Sequence, residues 1–314
     1  MTVDTRPAPA GSPPPLAAPS MRNRHGRRLA GALARQVTML AAALAFAIPL
    51  IWLLLAPTKS RAELSERAPL AFGDLRNVGN AWSNLISYGD GIFGAWIVNS
   101  LLYAAASVVV ALLTCVPAGY AMAMYVFRGR KIVLIGTLIM MLVPAAALVL
   151  PLFLEMAALD LVDTAWSVIL PLGLFPFGVY LAFLYYQANL PLELVEAGRL
   201  DGCSEARLFW SIGLPLGRPA VGVVGFFAFI QAWNNYFLPF VMFSDDRNYN
   251  LQLGLGSLIS STGAINASRG ASNLPIHGPE VALAAVITAA PILLVFVFAQ
   301  RYLVAGQVSG SVKG

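Results

Sequence analysis

The chain has 314 residues, 58% of them apolar and 11% charged, with a formal net charge of +5 and a mean hydropathy of +0.73. Soluble domains carry about 25% charged residues, so this composition excludes a soluble enzyme or a nucleic-acid-binding protein, and the positive excess is read as membrane topology. Several apolar runs reach the ~20 residues that a helix needs to cross a bilayer core. The predicted class is an all-α integral membrane protein in contact with lipid.

Residues 1–34 open the chain as a Pro-rich, then basic, tail without hydrophobic periodicity, and are expected to be disordered. Arg22, Arg24, Arg27, Arg28 and Arg35 precede the first apolar run, Val37–Ala56. Signal-peptide apolar regions run about 7–15 residues, so this longer run predicts an uncleaved span. Residues 57–91 read as a polar loop. Ile97–Phe127 follows, with Pro117 and Gly119 predicting a kink or tilt near its end. Ile132–Leu154 and Ala165–Tyr186 are the third and fourth spans, Ala220–Phe243 the fifth and Val281–Leu303 the sixth. Between the last two lies a polar loop, 244–279, and residues 304–314 form a tail. Pro49, Pro117, Pro144, Pro171, Pro239 and Pro291 put a helix-breaking residue in every span, which either kinks it or is merely tolerated there.

Six spans put both termini on one side. Of the 20 Lys and Arg residues, fourteen fall on the side of the termini and six on the other, and the positive-inside rule then places both termini in the cytoplasm. The two cysteines, Cys115 and Cys203, are far apart and the two histidines, His25 and His277, stand alone. No metal-ligand or nucleophile pattern is present, so the chain is predicted to bind no cofactor and to catalyse nothing itself.

The charged segment between the fourth and fifth spans, EAGRLDGCSEARLFWSIGLP from Glu196 to Pro215, breaks this pattern. Pro191 suits a first helical position, and Glu193 and Glu196 suit the positive helix end. Gly202 permits a turn that residues with a Cβ resist. A second helical stretch, Ser204–Ile212, is then expected to stop at Pro215 and Pro219. Physics alone leaves two readings of this bent, part-apolar element, covering about 191–212. It is either a connector lying on lipid or a peg that docks into another protein.

Its spacing resembles the EAA loop of permease subunits of ABC importers: Glu196, Ala197 and Gly198, then Gly202, then Ile212, Leu214 and Pro215. Gly198 departs from the family's second alanine, a change that weakens a helix by about 1 kcal/mol. The resemblance covers residues 35–314 and is strongest to the MalG-like carbohydrate-uptake branch, through QAWNNYFLPF from Gln231, the tail AQRYLVAGQVSGSVKG from Ala299, and Asn99 and Ser100. It implies six spans and a coupling helix that sits in a cleft of a cytoplasmic ATP-binding subunit. Glu196, Ala197, Gly198, Asp201 and Gly202 would form the docking face, with Ile212, Leu214 and Pro215 as anchors. The implied partners are a second related permease, two ATP-binding subunits carrying ATP and Mg, and an extracytoplasmic solute-binding protein, assembled in a prokaryotic plasma membrane. The tail, with Gln307 and Lys313, would approach the ATPase, and the loop 244–279 would face the binding protein. The chain has no GxxxxGK[ST] phosphate loop, so hydrolysis belongs to a partner.

Gln231, Trp233, Asn234, Asn235 and Tyr236 are polar or amphipathic residues inside the fifth span. They line a translocation path or join helices to one another. An ion-coupled transporter would need intramembrane charges, which the spans almost entirely lack. Within the resemblance, the solute is a sugar or sugar derivative, with a polyol or glycerol phosphate as the alternative.

Overall fold

A computed structural model describes residues 21–262 and 276–308, with side chains over 31–262 and 276–300. The chain falls into two compact units, residues 1–51 and 52–314. In the first, the described part is helix α1, Met21–Leu55, whose last residues belong to the second unit. The predicted disorder of residues 1–34 is corrected from Met21 onward: Arg, Leu and Ala are good helix formers, and the basic stretch extends the apolar helix instead of preceding it. Residues 1–20 lie outside the described part, as does Lys313; Gln307 falls in a described helix, but its side chain is not described.

The second unit is helical throughout its described residues. After α1 come α2 (Arg61–Glu66), α3 (Leu75–Ser87) and α4 (Ile92–Met124). Next are α5 (Arg130–Leu142), α6 (Ala145–Ala158), α7 (Trp166–Gly173) and α8 (Pro176–Asn189). α9 (Leu192–Leu200), α10 (Glu205–Leu208) and α11 (Leu214–Leu216) are short. α12 (Arg218–Trp233), α13 (Phe237–Met242), α14 (Leu251–Ser261) and α15 (Gly278–Val308) complete the chain. Among the described residues, four helical stretches are long and apolar enough to cross a membrane, and up to six if two bent pairs each count as one.

The segment read as a polar loop, 57–91, instead carries α2 and α3. Local capping explains both: the Ser60 hydroxyl accepts from Glu63 N–H while the Glu63 carboxylate accepts from Ser60 N–H, and Asp74 caps α3 through Arg76 N–H. The loop 244–279 likewise contains α14, capped by Asn250 on Leu253 N–H. The tail predicted from residue 304 is helical to Val308.

The prolines act selectively. Pro49, Pro117, Pro151, Pro171 and Pro291 lie inside continuous helices, so the kink expected at Pro117 does not interrupt α4. The third span does break: α5 and α6 meet at 108°, because Val143, before Pro144, takes extended geometry. The fourth span breaks before Pro176 in the same way. The fifth breaks at Asn234–Tyr236, where there is no proline, and Pro239 sits harmlessly in the first turn of α13.

α4 is the spine of this unit. Its first half, with Phe93, Trp96, Tyr103 and Ala104, enters one buried cluster with Trp233, Met242, Leu251 and Leu258. Its second half, with Ala111, Cys115, Val116 and Tyr120, enters another with Ala182, Tyr186, Val195 and Leu208. Small residues bring the helices together: a Cβ at Gly119 would strike the α8 backbone at Phe183 N, 2.7 Å away, and one at Gly178 would come within 3.2 Å of Val224 on α12.

Candidate functional site

The charged segment folds as α9, a turn, and a second stretch made of α10, a π turn at Phe209–Gly213, and α11. Pro191 is the residue before α9, in extended geometry, instead of its first helical residue. Gly202 holds φ +80, and a Cβ there would meet no atom within 4 Å. Its requirement for glycine is therefore conformational. Arg199 N–H groups donate to both oxygens of Glu205, at 2.8 and 3.4 Å, tying the first helix to the second across the elbow. The Arg199 guanidinium also lies 5.4 Å from the centre of the Tyr125 ring at the end of α4. Hydrogen bonds from Arg199 first, and from Tyr125 second, hold the Glu205 carboxyl below its ordinary range. The same Glu205 contact raises Arg199 further.

The second stretch does not stop at Pro215. It continues through the π turn, in which Leu214 N–H donates to Phe209 O, to Leu216, and then bends into α12; the two limbs meet at 78°. Proline loses little at Pro215 because it falls in the first turn of α11. The π turn sets Gly213 against the Tyr120 ring, where a Cβ would lie 2.7 Å from Cε2. Tyr120 is also packed edge-on to Tyr125, Tyr186 and Phe209. The element is thus braced to α4 and α8 by aromatic packing that leaves no periodic signal in the sequence.

Of the residues expected on the docking face, Glu196, Ala197, Asp201 and Gly202 are exposed. Gly198 is not. It is buried inside the elbow, where a Cβ would land on Leu208 Cδ2 and approach Ile212 Cδ1 at 3.5 Å. Its small size serves the packing of α9 on α10, not contact with another chain. Ile212 and Leu214 are half-buried, while Pro215 is exposed. Leu200, 90% exposed at the tip, joins this face. An apolar residue at a helical repeat reads as core in sequence, which is why it was missed.

The residues of the fifth span separate in the structure. Trp233 is buried and its indole N–H donates to Thr288 O at 2.9 Å, so it joins α12 to α15. Asn235 Oδ1 accepts from Leu238 N–H, and its carbonyl accepts from Asn250 Nδ2 at 2.7 Å. Gln231 is half-buried. Asn234 and Tyr236 are exposed. The five therefore lie at the helix break, not mid-helix, and two of them serve packing.

At the other end of α4, Trp96, Asn99 and Tyr103 share one face. The Trp96 indole donates to Asp246 O at 2.7 Å, Asn99 Nδ2 to Arg247 O and Tyr249 O, and the Tyr103 hydroxyl to Asn248 O. Asp163, at φ +64, accepts from Ser244 and Asp245 N–H and from Asn248 Nδ2. These bonds, Asn248 first, lower its carboxyl below the usual range.

The sequence profile of the family "Binding-protein-dependent transport system inner membrane component" matches residues 115–307, which include the elbow, the helix break and α15. The chain belongs to that family. As a permease of this family it is the membrane subunit of an ABC importer, not its catalyst, and resides in the inner membrane as a multi-pass protein. It is 36% identical over 71% of its length to the arabinooligosaccharides transport system permease protein AraQ of Halalkalibacterium halodurans, covering 76% of that protein. It is 30% identical over 72% of its length to the maltodextrin transport system permease protein MalD of Streptococcus pneumoniae, covering 78% of that relative. A chain in the crystal structure of a bacterial ABC transporter involved in the import of the acidic polysaccharide alginate superposes with a TM-score of 0.74. That match covers 91% of this permease and 99% of that chain at 22% identity, and so shows a shared fold.

Proposed function

We propose that this permease forms half of the translocation pathway for an oligosaccharide and is driven through the elbow 192–216. The sugar class rests on AraQ and MalD, named as permeases for arabinooligosaccharides and maltodextrin. The drive rests on one observation: an exposed tip, Glu196, Ala197, Leu200 and Asp201, stands on an arm braced to α4 and α8. A tip pushed by a partner moves the spans only if the arm is stiff, and the Arg199–Glu205 pair and Tyr120 cluster supply that stiffness. In this reading the tip and both termini face the cytoplasm and an ATP-binding subunit, of which the assembly holds two. Those subunits bind ATP and Mg. A second, related permease completes the pathway and an extracytoplasmic solute-binding protein delivers the sugar.

The assembled importer in proteoliposomes should accumulate an oligosaccharide only when its binding protein carries that sugar and ATP is supplied on the elbow side. In the same assembly a Leu200→Cys variant should crosslink to the ATP-binding subunit. Uptake that ignores ATP and collapses with an ion gradient would refute the reading. So would ATP-driven uptake in which the Leu200→Cys thiol reacts only with lipid-soluble reagents.

A further inference from the structure

The break in the fifth span builds a second feature. Tyr236 and Phe240 stack nearly parallel, with ring centroids 5.8 Å apart and an angle of 13°. They are 43% and 55% exposed. One edge of the Tyr236 ring meets Gly256 of α14, where a Cβ would come within 2.7 Å of Cε2, so glycine is what leaves room for the ring. Beside the rings, Gln252 Nε2 donates to Asn234 Oδ1 at 3.4 Å. This single weak bond leaves the Asn234 amide donors and the Gln252 carbonyl oxygen without partners among the described residues.

Two under-used amides beside exposed rings suit a ligand that has both an apolar face and hydroxyls better than they suit lipid tails. A pyranose ring offers what both halves of this feature lack. Its C–H face is apolar and flat, and its edge carries neighbouring hydroxyls that both donate and accept. Sites for such ligands combine aromatic walls with a few placed polar groups.

We infer that Tyr236, Phe240, Asn234 and Gln252 form a sugar-contacting platform on this permease, with the rings stacking on a pyranose face and the two amides holding its hydroxyls. The inference rests on the oligosaccharide reading above. It goes further by giving this subunit a direct substrate contact and by naming Phe240 and Gln252.

The test uses the complete importer in proteoliposomes, with Tyr236→Cys in a Cys203→Ser background; Cys115 is buried and stays. The probes are a maltodextrin or an arabino-oligosaccharide, whichever the binding protein carries, and a charged, membrane-impermeant methanethiosulfonate. The thiol should react with that reagent, and sugar-loaded binding protein with ATP and vanadate should slow the reaction about tenfold relative to unloaded binding protein, as a site about 90% occupied would. Three results overturn the platform: reaction with lipid-soluble maleimide alone, no reaction with either reagent, or charged-reagent labelling that sugar does not slow. The first means a lipid face and the second a surface covered by the second permease. If the Tyr236→Cys chain fails to insert, Phe240→Cys in the same background gives the same readout. Failure of the wild-type importer to move any oligosaccharide would instead sink the sugar reading, so the two failures are distinguishable.

Discussion

Substitution at Gly198 separates a packing role from a docking role. Alanine there adds helix propensity worth about 1 kcal/mol, while its methyl presses on the flexible end of Leu208, so the two effects nearly cancel. Valine adds two more methyls into a space closed by Leu208, which is 1% exposed, and by Ile212. Overpacking of this kind costs about 1–3 kcal/mol, and here the cost falls on the joint between α9 and α10. Gly198→Ala should therefore keep ATP-driven uptake within about fivefold of wild type, the equivalent of 1 kcal/mol. Gly198→Val should lose most of it and lower the apparent melting temperature of the purified complex. Leu208→Ala alone should destabilise through a cavity, by about 2–5 kcal/mol. Combined with Gly198→Val, the valine fills that cavity, and the pair should recover about 1–3 kcal/mol relative to the sum of the single effects. If the double variant is simply additive, or if valine alone is as active and stable as alanine, Gly198 is not the packing joint.

Two further outcomes follow from the same element. Because space around Gly202 is open, its penalty is the left-handed backbone alone, about 1–2 kcal/mol for a residue with a Cβ; Gly202→Asn should retain uptake and Gly202→Val should lower it about 5- to 30-fold with insertion unchanged, as a membrane-fraction blot and transport assay will show. The Glu205 carboxyl is held below its ordinary value of 4.5, so the stabilisation from its charged form is complete above that value and is lost as pH falls through the lowered one. The melting temperature should thus show no Glu205-dependent change between pH 5 and 8. Glu205→Gln should lower it slightly, since a pair 34% and 54% exposed contributes at most about 1 kcal/mol, and the difference from wild type should shrink only in acid.

The length of the apolar runs made the membrane class legible, and fixed spacing from Glu196 to Pro215 made the elbow legible. Neither signal reported how the elbow is held. Tyr120 and Tyr186 sit within apolar spans, where an aromatic looks like any other core residue. Only the packing of Tyr120 against Tyr186, Phe209 and Gly213, with Tyr125 against Arg199, reveals a brace. Proline alone does not locate the breaks, because it is a local signal while helix continuity is a tertiary outcome. Pro117 is carried within α4, whereas Asn234–Tyr236 breaks with no proline because Asn235 caps the next helix and Asn250 takes up its carbonyl. The capped helices α2, α3 and α14 hid in polar composition, although Ser60–Glu63, Asp74 and Asn250 were ordinary capping residues in plain view.

These breaks and braces divide the second unit into stiff and bendable parts. α4 is continuous for 33 residues, a rod of about 50 Å at 1.5 Å per residue. Tyr120 and Tyr125 at one end hold the elbow; Trp96, Asn99 and Tyr103 at the other grip four successive carbonyls of the segment after α13. A push on the elbow therefore reaches residues 246–249 through a single helix whose interior offers no discontinuity. The bends lie elsewhere, at Val143–Pro144, before Pro176, at Gly217 and at Asn234–Tyr236, and the last of these carries the exposed rings and amides. Displacement of α4 against α12 must be taken up at that break, since Trp233 fixes the helix before it to α15 and Asp163 fixes the segment after it to the turn between α6 and α7. The break in the fifth span is thus also a place with hydrogen-bonding capacity unused among the described residues.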